Sequence, residues 1–539
     1  MVDEVVDTVE SCAAPRRGRL HFAGRCGLFA VRLCGGGIVL VLVLLAGLAV
    51  LLSRGPFETE AASRVAEEAL ARLGGPGATA RVGTAGLDWS WTRGISVTLS
   101  DVSLERGAGL RLALPRVVAG LRLLPLFVGS VRPRTVEIVD PTLTLDTAEL
   151  RARPEPVETP IPADRPAATA AAPATPTPAV PVSTRLAEAA DVAVERILDL
   201  AREQGIETIG LHGGTVTVHH VAETGGARDV GFRDLEVDAV VDGPGGDVDA
   251  GVSARGEVGR WTMRLTRSRR DDGGHRLLFS AADVTLPDLI GKIAPPFRFD
   301  MPFYPRLRLA FDRDGRFDGA DFDLRIGAGV VRFGGMREDE LLFDEVTLKA
   351  MWNPRDRVFA VERAEAALGE TRWAAHGRIT PPTADVGRWA WSFDVDPGSL
   401  RPRDVPGPAV PIRGGSIAGT WDPATAFLDV GLGEIRFGEA SLRSAGRLDL
   451  SGDDPKLTYD LQFSPVTTSE VIHGWPTWVA AEARDWFIKN VAAGRLSDLR
   501  IQLQMPRFDH PETWSGDAMR VAARFEGLKF SPLGNLPAV

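Results

Sequence analysis

The sequence predicts a mainly β protein that is held in a membrane by one N-terminal transmembrane helix and contains only a few short helices. Three features of its 539 residues lead to this prediction. Residues 33–53 are uncharged and mostly apolar, residues 151–182 are rich in proline, alanine and threonine, and most of the remaining chain alternates apolar with polar residues. Such alternation is typical of antiparallel strands with one covered face.

Residues 33–53 are long enough to span a bilayer, because a helix needs about 20 apolar residues to cross the hydrocarbon core. A cleaved signal peptide has a shorter apolar run of about 7–15 residues, and in a lipoprotein Cys34 would follow the apolar run rather than precede it. Arg54 is the only close basic residue after the segment, whereas five arginines precede it: Arg16, Arg17, Arg19, Arg25 and Arg32. This bias predicts a cytoplasmic tail at 1–32, an anchor at 33–53, and the rest of the chain across the membrane.

Charge and cysteine content exclude two classes of protein. The net charge is −10 and the pI is about 5.5, which argues against nucleic-acid binding, since that function needs a basic surface. The three cysteines, Cys12, Cys26 and Cys34, lie at or before the start of the apolar run. The remaining chain therefore has neither a disulfide framework nor a thiolate metal site.

The chain beyond the anchor divides at the proline-rich tract. Residues 57–150 are predicted to form a first β region, which a short helix after Pro56 would open. Residues 151–182 cannot bury a core and are expected to form an extended linker. A helix should then run from a cap at Ser183 or Thr184 to Gly205, at the start of a second, mostly β region at 183–539.

One hairpin is predicted with particular clarity, because an aspartate-glycine turn at Asp314-Gly315 separates two alternating strands. The opposite faces of these strands carry arginines and aspartates. The helices are too few to cover an apolar face of this extent, so the sheet must close on itself or bind something apolar. The candidate residues of this apolar face are Leu307, Leu309, Phe311, Phe322, Leu324 and Ile326.

A helix is expected to interrupt the second β region. Pro476 suits a first helical turn, and Gly494 is a candidate C-terminal cap for a helix over residues 480–491.

No catalytic residue, metal site or cofactor site is predicted. His219 and His220 are adjacent in a predicted strand, so their rings point to opposite faces and cannot share a metal. Residues 414–418 lack the last glycine of a nucleophile elbow, and the glycines at 431 and 433 open no helix that could bind a dinucleotide. A third functional alternative, an envelope hydrolase, would need a pocket with convergent polar groups.

The order of features resembles the AsmA-like family of bacterial envelope proteins. An anchor and a short helix precede Leu87-Asp88-Trp89-Ser90-Trp91, then Val97-Thr98-Leu99-Ser100-Asp101 and Val136-Glu137-Ile138-Val139-Asp140-Pro141. Further on, the sequence is similar to the signature of the YhdP branch, the DUF3971 region. The matching residues are Trp475, Pro476, Arg484, Trp486, Asn490 and Gly494.

The resemblance implies an elongated, twisted antiparallel sheet that forms an apolar groove, and an anchor in the bacterial inner membrane with the bulk of the chain in the periplasm. It assigns residues 57–150 to the AsmA-like N-terminal region and residues 183–539 to a DUF3971-like β-groove region. Relatives continue through more β-sheet, so a truncated C-terminal end is expected. The long proline-rich tract is a departure from the family pattern.

The leading functional expectation is therefore a non-enzymatic protein that moves phospholipid between the inner and outer membranes, with acyl chains held by the six apolar residues of the hairpin. The alternative is an envelope scaffold or assembly factor for outer-membrane proteins, which would bind client strands at a sheet edge. Expected partners are phospholipid acyl chains, the inner membrane, and outer-membrane or periplasmic proteins, without nucleic acid. A dry sandwich core remains the structural alternative for the hairpin.

Overall fold

A computed structural model describes residues 57–58, 63–64, 67–68, 78–90, 94–107, 109–122, 125, 132–146, 181–221, 227–242, 246–285, 287–288, 297–333, 340–383, 386–403, 405, 407–451, 455–475, 481–507 and 517–531. The predicted tail, the predicted anchor and residues 151–180 of the predicted linker lie outside these ranges. Among the described residues, no helix has both the length and the apolar character that crossing a bilayer requires.

The described residues form a mainly β protein, as predicted, with 25 strands in one large sheet. Before the first long helix the strands are β1 (Phe57–Glu58), β2 (Ala78–Ser90), β3 (Gly94–Arg106), β4 (Leu110–Leu121), β5 (Pro133–Val139) and β6 (Thr142–Asp146). The next strands are β7 (Thr208–Val221), β8 (Ala227–Asp242), β9 (Asp247–Arg255), β10 (Arg260–Arg269), β11 (His275–Ala282), β12 (Phe297–Phe299), β13 (Phe303–Phe311), β14 (Phe317–Ile326), β15 (Gly329–Phe333) and β16 (Glu340–Phe343).

The second half of the chain continues the sheet. Its strands are β17 (Glu345–Asn353), β18 (Val358–Leu368), β19 (Thr371–Thr380), β20 (Trp389–Val395), β21 (Gly398–Leu400), β22 (Val410–Asp422), β23 (Phe427–Phe437), β24 (Ala440–Asp449), β25 (Lys456–Ser464), β26 (Val466–Thr467), β27 (Val491–Met505) and β28 (Met519–Phe530). Strands β12, β15 and β16 form a separate three-stranded sheet. The helices whose full bounds lie within the described residues are α1 (Val182–Gln204), α2 (Thr468–Gly474) and α3 (Ala481–Asn490).

The large sheet follows the order of the chain, because most strands pair with the strands that precede and follow them in sequence. The pairings between described strands are antiparallel except those of β7 with β5 and with β6, which are parallel. The expectation of a purely antiparallel sheet is therefore wrong at this point. The reason is the long connection through α1: a parallel neighbour needs a crossover of a dozen or more residues, whereas a hairpin turn joins antiparallel neighbours.

A line of backbone irregularities crosses the first half of the sheet. Asp101, Asp140, Gly213 and Asp234 have φ values of 54°, 53°, 69° and 50°. They lie on β3, at the break between β5 and β6, on β7 and on β8, and the register of β8 with β7 and with β9 shifts beside Gly213 and Asp234. Aspartate and glycine tolerate this left-handed conformation better than other residues do. Bulges of this kind bend strands and increase their twist.

Helix α1 ends as predicted but begins earlier than predicted. Gly205 follows it in the left-handed conformation, and the Gly205 N–H donates to a carbonyl of the last turn. The first helical residue is Val182, and the residue that caps the helix is Pro181 instead of Ser183 or Thr184. Pro181 and Val182, the last two residues of the predicted linker, therefore belong to the helix start. The reason is a tertiary contact: the Val182 N–H donates to the Pro382 carbonyl over 2.8 Å.

Two other helix predictions need correction. Phe57 and Glu58 pair with β2 as a strand, so the first predicted helix does not begin directly after Pro56. Between β1 and β2, the described helical residues are 63–64 and 67–68. The helix predicted to end near Gly494 ends at Asn490, because Val491 already pairs with Phe530 in the sheet. Gly494 lies inside β27, where a Cβ atom would approach Leu528 Cδ1 to 3.0 Å.

Candidate functional site

One face of the large sheet is apolar across many strands, and we call it the apolar face. Strand register places apolar residues directly opposite one another from β2 to β22, with no charged or hydroxyl side chain between them. This row consists of Leu87, Val97, Ala119, Val136, Ile209, Ala239, Ala250, Leu265, Phe279, Leu307, Phe322, Ala350, Val361, Gly377, Phe393 and Ile417. Strands spaced by about 4.8 Å make it about 70 Å long.

The six residues predicted to line a groove share this face. The predicted hairpin is confirmed: β13 and β14 pair, with Leu307 opposite Phe322. Leu324 and Ile326 continue the face towards Leu348 and Val346 of β17. Five of the six are partly exposed: Leu307, Leu309, Phe322, Leu324 and Ile326.

Phe311, the sixth predicted residue, has a different environment. It is 0% exposed and packs with Ala187 of α1 and Leu277 of β11, and Leu309 touches the same cluster. Helix α1 therefore covers one end of the apolar face at these strands. The dry-core interpretation fits Phe311, whereas the remaining five residues are accessible.

Aromatic rings continue from this covered end along neighbouring strands. The imidazole of His275 stacks on Phe311 with ring centroids 5.0 Å apart, and Phe311 lies 6.2 Å from Phe317. Trp352 follows at 5.7 Å from Phe317, and Phe359 at 5.0 Å from Trp352. The five rings come from five neighbouring strands, one each from β11, β13, β14, β17 and β18. Stacked and edge-on rings at these distances attract one another beyond simple burial.

Two polar contacts between side chains attach α1 to the sheet. His275 Nε2 lies 2.6 Å from Asp191 Oδ1, and Arg267 forms an ion pair with Glu195. The carboxylates of Asp191 and Glu195 and the imidazole also lie close enough together to be considered as metal ligands. The guanidinium of Arg267 already balances one carboxylate, and its positive charge opposes a cation at this position. The arrangement is better explained as one hydrogen bond and one ion pair that hold the helix.

An apolar cavity lies at β25, β27 and β28, beneath α2 and α3. Its volume is about 470 Å³. Its floor is the apolar face of β25, β27 and β28, and Trp475 and Phe487 line it from the helices. Hydrocarbon walls favour apolar ligands, since water finds few hydrogen-bonding partners there. At this cavity the apolar face is lined on two sides, by the strands and by the helices.

A capping box fixes the start of α2. The Thr467 hydroxyl accepts from the Glu470 N–H, and the Glu470 carboxylate accepts from the Thr467 N–H over 2.8 Å. The same carboxylate accepts from the Glu439 N–H over 2.6 Å, which links the helix to the turn between β23 and β24. This helix is not among the predicted elements, although the Thr-x-x-Glu pattern of residues 467–470 is a capping signal.

The family-signature residues connect the two helices beside the cavity. Arg484 is buried, and its Nε donates to the Trp475 carbonyl over 3.1 Å. The indole of Trp475 lies 5.9 Å from the ring of Phe487. Asn490 Nδ2 donates to the carbonyl of Trp486, an exposed residue, over 2.7 Å and closes the end of α3. Pro476 lies outside the described residues.

The opposite face carries cross-strand ion pairs, and we call it the polar face. Arg308 and Asp321 are 2.9 Å apart, and Arg447 lies 2.5 Å from Asp429. The hydrogen bond from Arg264 lowers the pKa of the Asp249 carboxyl. Exposed pairs of this kind contribute little stability each. Their consequence is that water solvates one face of the sheet while the other remains apolar.

A mutual pair at the line of irregularities also shifts two pKa values. His212 Nδ1 lies 2.7 Å from Glu236 Oε2. The hydrogen bond to Glu236 raises the pKa of His212, and the bond to His212 lowers the pKa of Glu236. Glu236 also accepts from the Gly213 N–H over 3.1 Å. The pair therefore supports the bent backbone of β7.

Comparison of the chain with family models, curated proteins and solved structures finds no match.

Proposed function

We propose that this chain is a non-enzymatic lipid-binding protein, anchored in the bacterial inner membrane, whose apolar face forms a groove that carries phospholipid acyl chains across the periplasm towards the outer membrane. The observation that carries the proposal is the unbroken row of apolar residues from Leu87 on β2 to Ile417 on β22. A face of this length, with few helices to cover it, needs an apolar partner.

The accessible side chains of this row favour a ligand over a protein core. Phe279, Leu307, Phe322 and Phe393 are each partly exposed on the apolar face. Each methylene group that leaves water for such a surface gains about 0.8 kcal/mol. An acyl chain can therefore be held without any polar contact, and it can move along the row because neighbouring positions offer similar apolar contacts.

The polar face supports the same function. Arginine and aspartate pairs such as Arg308–Asp321 keep that face in water. The apolar face is therefore the side of the sheet on which lipid would bind. The headgroup would remain at the open rim, in water, while the tail contacts the apolar face. The uncharged apolar segment predicts the membrane anchor at residues 33–53, and the resemblance to AsmA-like proteins adds the periplasmic location.

The test introduces a single carboxylate in each of two variants, on the apolar face of β14 in one and on the polar face of β17 in the other. Leu324→Asp puts the charge on the apolar face, where Leu324 opposes Leu348. Thr347→Asp is the matched control, because Thr347 opposes Arg325 on the polar face. The full-length chain would be purified in detergent from cells, and co-purified phospholipid would be measured by native mass spectrometry.

We expect Leu324→Asp to lose most of the bound phospholipid while its circular dichroism stays unchanged, and Thr347→Asp to retain lipid. An open groove lets water hydrate the new carboxylate, whereas a dry core would leave it buried at a cost of several kcal/mol. Unfolding of Leu324→Asp, together with absence of phospholipid from the unmodified protein, would refute the proposal. The scaffold alternative predicts that lipid content is low in all three proteins.

A further inference from the structure

Helix α1 lies on the apolar-face side of the sheet, beside the hairpin turns that join β10 to β11 and β13 to β14. The Glu188 carboxylate accepts from the N–H of Phe317, the first residue of β14, over 3.4 Å. Asp191 reaches His275, the first residue of β11. One side of the helix is therefore held above the ends of the strands, next to the turns.

The neighbouring side of the helix lies closer to the middle of the strands. Ala187 and Val194 belong to the same apolar cluster as Leu277 of β11 and Leu309 of β13. Leu309 is two residues along its strand from Leu307, which is part of the unbroken apolar row. Passing around the helix from Glu188 to Val194 thus leads from the turns towards this row.

The next side of α1 in the same direction is an exposed apolar stripe. Its residues recur at intervals of four and three, which keeps them on one side of an α-helix. They are Leu186, Ala190, Ala193, Ile197 and Leu200. The exposed fractions of Leu186, Ile197 and Leu200 are 63%, 64% and 50%. Because the stripe follows Val194 around the helix, it overhangs the apolar row instead of pointing away from the sheet.

The side of α1 that points away from both the sheet and the row is charged. Arg185, Arg196, Asp199 and Glu203 are exposed there. A surface helix ordinarily has one apolar side, which packs on the core, and water solvates the rest. Helix α1 has a second apolar side in addition to the docked one, and this second side adjoins the apolar face of the sheet.

We propose that α1 is a second wall of the lipid groove, and that a phospholipid acyl chain lies between the exposed stripe and the apolar row of β10, β11 and β13. The inference rests on the proposed function and names the part of the sheet where the tail is held from two sides. Leu265, Phe279 and Leu307 form the floor at these strands. Aliphatic and aromatic groups on both sides suit a hydrocarbon chain, which needs no hydrogen bond.

A helix from another protein fits this space less well than a lipid tail. A helix with its side chains is about 10–12 Å across, and one side of it must remain in water unless it is apolar all round. The stripe and the row form one continuous apolar surface, so a ligand that binds the row also contacts the stripe. Two alanines at the centre of the stripe leave room for a thin chain.

The first test compares two glutamate substitutions on different sides of α1. Ile197→Glu places a carboxylate on the stripe, and Val192→Glu is the matched control, because Val192 is 49% exposed on the charged side. Both replace an exposed β-branched residue of the same helix, so circular dichroism should stay unchanged in both. Native mass spectrometry of the full-length chain in detergent should show at least about threefold less phospholipid with Ile197→Glu, and no loss with Val192→Glu.

The second test locates the tail directly in the otherwise unmodified chain. A photoreactive residue would be placed at position 197, 192 or 307, one at a time, and activated in cells before purification. We expect crosslinks to phospholipid from positions 197 and 307, which face each other across the groove, and none from position 192.

Lipid crosslinks from position 307 without any from 197, or equal loss of lipid in the two glutamate variants, would overturn the second wall and leave the proposed groove in place. Crosslinks from position 197 to a protein chain in place of lipid would assign the stripe to a protein partner and would also overturn it. Absence of phospholipid from the unmodified protein and from all three crosslinking positions would refute the proposed function itself, and this inference with it.

Discussion

The carboxylate of Asp191 on α1 lies 2.6 Å from Nε2 of His275 on β11, and both side chains are buried. The two residues are 84 positions apart in the chain. His275 also stacks on Phe311, so one imidazole connects the helix to the aromatic rings of the apolar face. This contact, with the Glu195–Arg267 pair beside it, fixes where α1 lies.

Asp191→Ala should destabilise the protein by about 2–4 kcal/mol, because it leaves a buried imidazole without its hydrogen-bonding partner. The change would be measured by urea unfolding of the detergent-solubilised chain. Glu203→Ala on the exposed side of the same helix is the control, and its effect should stay within about 0.5 kcal/mol. Equal effects of the two substitutions would contradict the buried-pair explanation.

Thr467→Ala should weaken α2 by about 1 kcal/mol, because the hydroxyl that accepts from the Glu470 N–H is lost. Thr467→Ser retains the hydroxyl and should behave like the unmodified protein. Hydrogen exchange of the amides in residues 468–474 provides the measurement. Unchanged protection in Thr467→Ala would show that the capping box does not stabilise the helix.

Leu461→Trp should reduce the affinity for a fluorescent fatty acid roughly tenfold, because the larger side chain occupies volume in the cavity beneath α2 and α3 and displaces about two methylene groups of ligand. Asp460→Trp adds the same side chain on the exposed polar face of β25 and should leave affinity unchanged. Fluorescence titration measures both. If the two variants bind the fatty acid equally, the cavity is not an acyl-chain site.

The His212–Glu236 pair should give a defined pH dependence. The raised pKa of His212 means that its contribution to stability is present below about pH 6.5 and is lost as pH rises through the raised value. The lowered pKa of Glu236 means that its contribution is present above about pH 4.3 and is lost as pH falls through the lowered value. Glu137 and Asp238 also raise the pKa of His212, and Arg260 also lowers that of Glu236.

Glu236→Gln should therefore reduce the free energy of unfolding most between about pH 4.3 and 6.5. The difference from the unmodified protein should shrink on both sides of this window. Urea unfolding at a series of pH values tests this. If the free energy of unfolding of Glu236→Gln differed from that of the unmodified protein by the same amount from pH 4 to pH 9, His212 and Glu236 would not be coupled.

Local pattern was sufficient to predict several elements. Asp314-Gly315 marked the turn between β13 and β14, where Gly315 has a φ of 74° that glycine adopts readily. Gly205 marked the end of α1 for the same reason. The pattern failed at Leu432, which continues an apolar alternation in sequence but is 75% exposed. The register of β23 shifts between Val430 and Gly433 in its pairing with β24, so Leu432 does not continue the alternation.

The sequence by itself determined the β class and the division of each strand into an apolar and a polar side, because alternation depends only on neighbouring residues. The tertiary structure decided which strands became neighbours, including the parallel pairing of β7, and so joined separate apolar sides into one row. It also decided that α1 covers Phe311 and that α2 and α3 enclose a cavity. These outcomes depend on contacts between residues far apart in the chain, such as Asp191 with His275 and Val182 with Pro382, and no local pattern specifies them.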